Sequence, residues 1–248
     1  MIAPEERLIA AVARLILDPA APPAHNIAVG AASPIPAAAS WLVSKSGHPV
    51  RLLLLHKRRG NPFTEGSREL FDLAGQGRID LFFLGGGQID GQANINLVGT
   101  GDWPGRTARF PGSFGSAFMY MMVPRTILFR AEHTRRVLVP RVDIVSAPGL
   151  SPAGVFRRGT AQALVTGRCV FRFDKAAGRF ALASLHPGET VESVRAATGF
   201  DYDAPADPPL TADPTQAELG LLRGPIRDEM VETYPEFCRR LWPTAAGR

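Results

Sequence analysis

Three consecutive glycines, Gly85, Gly86 and Gly87, followed by Gln88, stand directly behind the apolar run Ile79, Leu81, Phe82, Phe83 and Leu84. Lacking Cβ atoms, they permit a sharp turn and let a ligand or a neighbouring chain come close to the main chain. A second loop of small residues, Pro111-Gly112-Ser113-Phe114-Gly115-Ser116, runs into Ala117, Phe118, Met119, Met121 and Met122, which read as the start of a helix. A helix opening behind such a loop turns unpaired N–H groups towards an oxyanion or a phosphate. The alternative for both loops is a plain turn. A third set of residues capable of chemistry is the basic turn His56-Lys57-Arg58-Arg59. An imidazole of pKa about 6.5 is suited to take a proton from water, so His56 is a candidate general base. Lys57, Arg58 and Arg59 can pair with phosphates or with a carboxylate. A solvated, exposed turn is the other reading of all four residues.

The run at 79–84 has the length and β-rich composition of a strand buried on both faces, and the carboxyl ends of such strands are where open α/β sheets hold ligands. Upstream, residues 4–17 have apolar positions at helical spacing with Pro4, Glu5 and Glu6 in the first turn, an amphipathic helix. Residues 26–29 form a short strand ending at Gly30, 35–43 an alanine-rich helix and 50–55 a second buried strand carrying the basic turn. That order is a βαβ unit and requires a parallel or mixed sheet. Residues 67–73 read as a short helix with Glu65 as an acid at its N-terminal end. Downstream, 125–129, 137–139 and 142–145 read as strands. From Ala161 the alternation changes to an antiparallel hairpin, 169–174 and 179–185, with a turn at 175–178. Residues 190–198 form a helix closed by Gly199, 201–214 an irregular stretch, and 218–232 a helical tail interrupted or offset by Pro225. Asn94 and Asn96 suit loop-backbone hydrogen bonds, and the methionines at 119–122 suit core filling.

With 248 residues, 45% hydrophobic and 21% charged, the chain can bury a sizeable core. The net charge of +5 is scattered apart from the 56–59 turn and the pairs Arg135-Arg136, Arg157-Arg158 and Arg239-Arg240. That pattern suits an anionic small molecule, or solubility alone, rather than a nucleic-acid duplex. Cys169 and Cys238 have no metal-ligand spacing and read as free thiols in a reducing cytosol. The N-terminus lacks the basic and unbroken apolar regions of a signal peptide, and no apolar run approaches the ~20 residues that span a bilayer. The expectation is a cytoplasmic protein without metal, membrane or nucleic-acid partners.

Four segments in this order, GGGQIDGQANIN, RFPGSFGSA, EHTRRVLVPRVDIVSAPG and SLHPGETVESVRAATGFD, resemble the β subunits of heteromeric family I CoA-transferases of the glutaconate CoA-transferase type. The likeness covers nearly the whole chain. It implies an α/β fold of the NagB/RpiA-like kind: a mixed open sheet flanked by helices, with an antiparallel hairpin and helices near the C-terminus, in a single domain over 1–248. It also implies an α-type partner subunit, in a heterodimer or heterotetramer, and an acyl-CoA bound between the two chains. Coenzyme A enters as part of that substrate. Carried onto this chain, Gly85, Gly86, Gly87, Gln88 and Asn94, with Gly112, Ser113, Phe114, Gly115 and Ser116, line the pocket, and Arg58 serves the CoA phosphates. Backbone donors holding a thioester oxygen are worth ~10²–10³ each in rate. His133, Arg135 and Arg136 match a family segment and read as structural or interfacial. The family usually has a Gly-Gly pair in the second loop, and Phe114 replaces its first glycine, which suits a bulky apolar acyl group or a side chain turned into the subunit interface.

One departure changes the expected chemistry. In the family a glutamate at a strand end attacks the acyl-CoA carbonyl, and the resulting glutamyl-CoA thioester carries CoA to an acceptor acid. The matching position falls at the end of RLLLLHKRRG, where this chain has Leu55 or His56. Loss of a nucleophile of this kind removes as much as ~10⁶ in kcat. The chain departs in the same way as the β subunits of CoA-transferase-like hydrolases that open a ring of a steroid-derived CoA thioester, in which the essential glutamate belongs to the α subunit. The expectation is therefore a β subunit acting hydrolytically on an acyl-CoA. The alternatives are a true CoA-transferase whose glutamate comes from another segment or from the partner, and a non-catalytic scaffold subunit.

Overall fold

Residues 1–57, 59–102 and 104–243 are described by the computed structural model. Their contacts fall into two units, Met1–Phe83 with Ala212–Arg248, and Leu84–Thr211.

The first unit begins with helix α1 (Pro4–Ile16), whose proline and two acids occupy the first turn and whose Leu8, Ile9, Val12, Leu15 and Ile16 are buried. Helix α2 (Pro34–Lys45) follows strand β1 (Asn26–Val29), and the fully buried Ala37, Ala38 and Ala39 offer the small surface on which α1 and α2 pack. Strand β2 (Arg51–Leu54) lies parallel to β1, with Ile27 opposite Leu52. After helix α3 (Ser67–Gly75), strand β3 (Leu81–Leu84) pairs with the other side of β1, giving the order β3-β1-β2. All four residues of β3 are buried, as a continuous apolar run requires. The Asp80 carboxylate accepts the N–H groups of His25 (2.9 Å) and Asn26 (2.7 Å) and so fixes where β1 starts.

The second unit opens with two very short hairpins, β4 (Gln88–Ile89) with β5 (Ile95–Asn96) and β6 (Gly99–Thr100) with β7 (Ala108–Arg109). Helix α4 (Ser116–Met122) leads to strand β8 (Arg125–Arg130). Strand β9 (Thr160–Thr166) is parallel to β8, and β10 (Cys169–Asp174) and β11 (Arg179–Leu185) continue antiparallel, so this sheet is mixed, in the order β11-β10-β9-β8. Phe171, Phe173, Phe180, Phe200 and Tyr202 form an aromatic core against the hairpin, with Phe171 and Tyr202 ring centroids 4.8 Å apart. Helix α5 (Val191–Ala197) is capped by Thr190, whose hydroxyl accepts the Ser193 N–H at 3.1 Å.

The strands expected at 137–139 and 142–145 do not form. Leu138 and Ala147 each make a single bridge, to Ile89 and Ile95, and 142–145 is irregular. Pro140 and Pro148, which lack N–H donors, bracket the segment. What satisfies it instead is the β4–β5 hairpin: Ile89 N–H donates to the Val137 carbonyl (2.7 Å) and Val139 N–H to the Ile89 carbonyl (2.9 Å).

The C-terminal tail belongs to the first unit and forms α6 (Gln216–Leu221), a wide π turn at Leu222–Ile226, α7 (Arg227–Met230) and α8 (Pro235–Leu241). Pro225 cannot donate to the helical ladder, and the widened turn with Gly224 out of helical geometry accommodates it. A buried carboxylate ties the tail to α1. Glu6 accepts from Arg223 (2.7 and 2.8 Å), from the Trp242 indole (3.1 Å) and from Ala3 N–H (2.9 Å). Burial alone would raise its pKa, but these donors hold it below the ordinary 4.5.

His133 shows the opposite arrangement in the second unit. Its two nitrogens face the hydroxyls of Thr166 (2.8 Å) and Thr198 (2.9 Å), and burial pushes its pKa from 6.5 to about 4. The two groups respond to acid in separate windows. Between pH 6.5 and about 4 the unfolded chain binds a proton at His133 that the folded chain refuses, so stability falls on acidification by up to ~3 kcal/mol. Below about pH 4.5 the contribution of the ionised Glu6, fully present above that value, is lost as pH drops through its lowered folded pKa. Denaturant unfolding at a series of pH values should show His133→Gln flattening the upper window and Glu6→Gln the lower. Both variants should be ~1–3 kcal/mol less stable than the parent at pH 7.5.

Candidate functional site

The strand end at β3 is shaped by atoms that leave no room for side chains. A Cβ on Gly85 would lie 2.8 Å from the Phe129 carbonyl oxygen, one on Gly86 2.6 Å from Ile95 Cγ2, and one on Gly87 2.2 Å from the Phe110 ring. The three glycines are therefore required by close approach of the chain to itself. Gly87 N–H donates to the Asn96 carbonyl at 2.9 Å, so that donor is already used. Gln88 is buried. Its Oε1 accepts from Asn96 Nδ2 (2.7 Å) and Asp143 N–H (3.0 Å), and its Nε2 donates to Asp143 Oδ1 (3.3 Å).

Asn96 continues the network. Its Nδ2 also donates to the Gly99 carbonyl (2.8 Å), and its Oδ1 accepts from Val98 and Gly99 N–H (3.0 and 3.3 Å). Asn94 donates through Nδ2 to Asp90 Oδ2 (3.1 Å) and accepts from Gly149 N–H (3.0 Å). It lines an open cleft of about 790 Å³ together with Asp90, Arg141, Arg179 and Phe200.

The second loop is joined to the first through Phe110, whose ring lies on Gly87. Gly112 N–H donates to the Leu97 carbonyl (3.0 Å), and Ser116 N–H to the Ser113 carbonyl (2.8 Å). Gly112 has φ +108°, with open space where a Cβ would stand. Phe114 has φ +42°, in the left-handed region that a bulky side chain rarely occupies, and its side chain is exposed. Phe110, just ahead of the 112–116 loop, thus links that segment to Gly87 in the second unit.

In the first unit, His56 stands exposed on the turn behind β2, with its Nδ1 2.9 Å from the Ala31 carbonyl. A carbonyl only accepts, so the neutral ring carries its proton on Nδ1 and its lone pair on Nε2. The Tyr234 ring meets it edge-on, centroids 6.1 Å apart, and burial raises the Tyr234 phenol to about 12. Lys57 lies over the Trp41 ring at 5.3 Å, and Lys45 at 5.4 Å. Arg58 lies outside the described residues. Arg59 N–H donates to Glu232 Oε1 at 3.1 Å, which puts a carboxylate beside the basic turn. Sequence reasoning missed Glu232, because nothing local connects residues 173 positions apart. Glu65 forms an ion pair with Arg68 (2.9 Å) ahead of α3. Among the described residues there is no cluster of His, Cys, Asp and Glu fit to hold a metal ion, and no helix long and apolar enough to cross a membrane.

A mixed sheet flanked by helices matches the architecture of CoA-transferase structures. The Coenzyme A transferase family model matches residues 42–197, and the chain belongs to that family. It is 34% identical over 153 residues to the β subunit of glutaconate CoA-transferase from Acidaminococcus fermentans, covering 59% of this chain and 56% of the relative. It is 33% identical over 160 residues to the cholesterol ring-cleaving hydrolase IpdB subunit of Rhodococcus jostii, covering 63% and 62%. The matched region thus spans less than two thirds of the length of either relative. The crystal structure of Rhodococcus jostii RHA1 IpdAB superposes with a TM-score of 0.77 at 26% identity, over 90% of this chain and 94% of that one.

The contact between Gly87 and Phe110 is open to direct test. Gly87→Ala forces a methyl group into the ring and should destabilise by ~1–3 kcal/mol. In a double-mutant cycle with Phe110→Ala, followed by denaturant unfolding, the two changes should be non-additive by ~1 kcal/mol or more, with the second relieving the first. Additive effects would remove this contact as the reason for the glycine.

Proposed function

We propose that this chain is the β-type subunit of a heteromeric enzyme of the Coenzyme A transferase family, acting on an acyl-CoA thioester where it meets an α-type subunit. The reaction we infer is hydrolytic, either C–C ring opening or thioester hydrolysis. The observation that carries this reading is the end of β2, within the family match, where Leu55 and His56 stand and no carboxylate side chain occupies the turn itself. The likeness to a ring-cleaving hydrolase subunit supports it. In this reading Gly85–Gln88 and Gly112–Ser116 form the wall against which the thioester lies, with Asn94 at its edge. His56 takes a proton from water through Nε2 while its Nδ1–H stays on Ala31. The resulting hydroxide adds to the carbonyl under attack. In thioester hydrolysis, collapse of that adduct expels CoA thiolate, which receives the proton. A heterodimer or heterotetramer in the cytoplasm completes the proposal.

A second reading has a specific observation behind it. CoA transfer needs a carboxylate nucleophile, and Glu232 reaches the basic turn from the tail. The likeness to a CoA-transferase subunit is of similar strength.

The co-purified pair of subunits, given acyl-CoA and a labelled acceptor acid, separates them. Free CoA or a ring-opened CoA product, lowered ~10²–10⁴-fold by His56→Gln and unaffected by Glu232→Gln, is the expected result. Labelled acceptor-CoA whose formation depends on Glu232 establishes transfer instead. Unchanged turnover in both variants, with the subunits still co-eluting, assigns the chain a scaffold role.

A further inference from the structure

The cleft beyond the tip of the β4–β5 hairpin has no role in the reading above. Its volume of about 790 Å³ is that of a small-molecule site, and it lies wholly within the second unit. Neither Gly85–Gln88 nor Gly112–Ser116 lines it, so it shares only Asn94 with the residues assigned to the thioester.

Its walls are preformed. The hairpin tip is fixed by buried Asp90, whose carboxylate accepts the N–H groups of Gln92 (3.0 Å), Asn94 (3.1 Å) and Val142 (3.4 Å). The tip packs so closely on Phe200 that a Cβ on Gly91 would lie 3.1 Å from Phe200 Cβ. The β10–β11 turn, which brings Gly178 and Arg179 to the cleft, is closed by Gly178 N–H on the Asp174 carbonyl at 2.8 Å. Arg141 stands in this frame between Pro140, which fixes its own φ, and Val142, whose N–H is held by Asp90. The backbone of Arg141 is restrained on both sides, yet its exposed side chain makes no hydrogen bond or ion pair among the described residues. Arg179 gives Nη2 to Asp203 Oδ1 at 3.0 Å and keeps other N–H donors on its guanidinium. Pro140 and the half-exposed Val145 add apolar surface.

We infer that this cleft is a binding site for a small monocarboxylate with an apolar body, separate from the thioester wall. The planar fork of Arg141 matches a carboxylate, and Arg179 adds a second cation. Exposed Asp201 on the same lining, and Asp203 on Arg179, offset part of that positive charge. A single negative charge is therefore favoured over a phosphate dianion or the phosphates of CoA. The apolar body lies on Pro140 and Val145. The inference stands without the acyl-CoA reading, since none of the glycine-loop residues takes part.

The test titrates benzoate, acetate and inorganic phosphate into the co-purified pair of subunits by calorimetry. The expected result is saturable binding of benzoate, tighter than that of acetate or phosphate. Arg141→Gln should weaken benzoate about tenfold, with an unchanged thermal midpoint because the side chain supports nothing else in the fold. Arg141→Lys, which keeps the charge and loses the fork, should fall between. Arg239→Gln, at an exposed arginine on α8 outside the cleft, should bind benzoate as the parent does. Absence of saturable benzoate binding overturns the inference, as does binding that Arg141→Gln leaves unchanged or that Arg239→Gln weakens equally. Phosphate bound as tightly as benzoate overturns the assignment to a monocarboxylate. Displacement of benzoate by acetyl-CoA overturns the separate site, because it puts the carboxylate at the thioester wall. Failure of the pair to turn over any acyl-CoA bears on the earlier reading alone.

Discussion

Lack of space at the end of β3 governs the rest of the candidate site. A main-chain carbonyl, an isoleucine methyl and a phenylalanine ring occupy the three volumes where side chains of residues 85, 86 and 87 would otherwise stand. Each intruder belongs to a different element: Phe129 to β8, Ile95 to β5 and Phe110 to the strand-to-loop passage behind β7. Any side chain at the three positions would push one of those elements away, so the glycines set the spacing of the whole loop cluster. This is a stronger demand than a turn makes, since none of the three has a positive φ.

Buried amides convert that spacing into a rigid arrangement. Gln88 and Asn96 are buried side by side, and the hydrogen-bond partners of each are supplied by the other, by Asp143 or by loop backbone. In a low-dielectric interior an unpaired amide is expensive and a paired one is strongly directional, so such a network holds one geometry. Asp143 extends it, accepting Gly101 N–H at 2.7 Å and so tying the β6–β7 hairpin to the same hub. Polar groups that sequence reasoning assigns to a ligand are thus the ones that hold the loops in place.

How much of this was legible in the sequence follows the range of the interactions. The buried strands β1 and β3 and the β10–β11 hairpin follow from local apolar pattern, and the β–α–β order dictates parallel pairing. Strand β2, read as buried, has only Leu53 and Leu54 buried and Arg51 exposed. Val142 to Val145 also has a strand-like composition, yet its hydrogen bonds depend on prolines at 140 and 148 and on a hairpin fifty residues earlier. Strands β4 to β7 are two residues each, too short for any periodicity to register. The importance of Gly85 to Gly87 and of the 111–116 loop was visible, whereas the reason was not, because Phe110 and Phe129 meet the glycines only in the folded chain. Glu6 gives no local hint of its partners Arg223 and Trp242 at the other end of the chain.

The histidines show how one residue type acquires different chemistry from its neighbours. His133 is buried with a hydroxyl on each nitrogen, and protonation there would add a charge where water cannot reach it. His186 is likewise buried, with Thr211 on one nitrogen and the Thr166 carbonyl on the other. Thr166 stands between the two rings, so both serve to lock β9 to the segments that follow it. His56 differs in each respect. It is exposed, a backbone carbonyl holds one nitrogen, and among the described residues no hydrogen-bond partner takes the other. Main-chain carbonyls do not titrate, so the tautomer it imposes is the same at every pH at which the ring is neutral. A base needs an oriented lone pair facing solvent, and a structural histidine needs both nitrogens satisfied. On those terms His133 and His186 are equipped for holding the fold, whereas His56 keeps one nitrogen unengaged among the described residues.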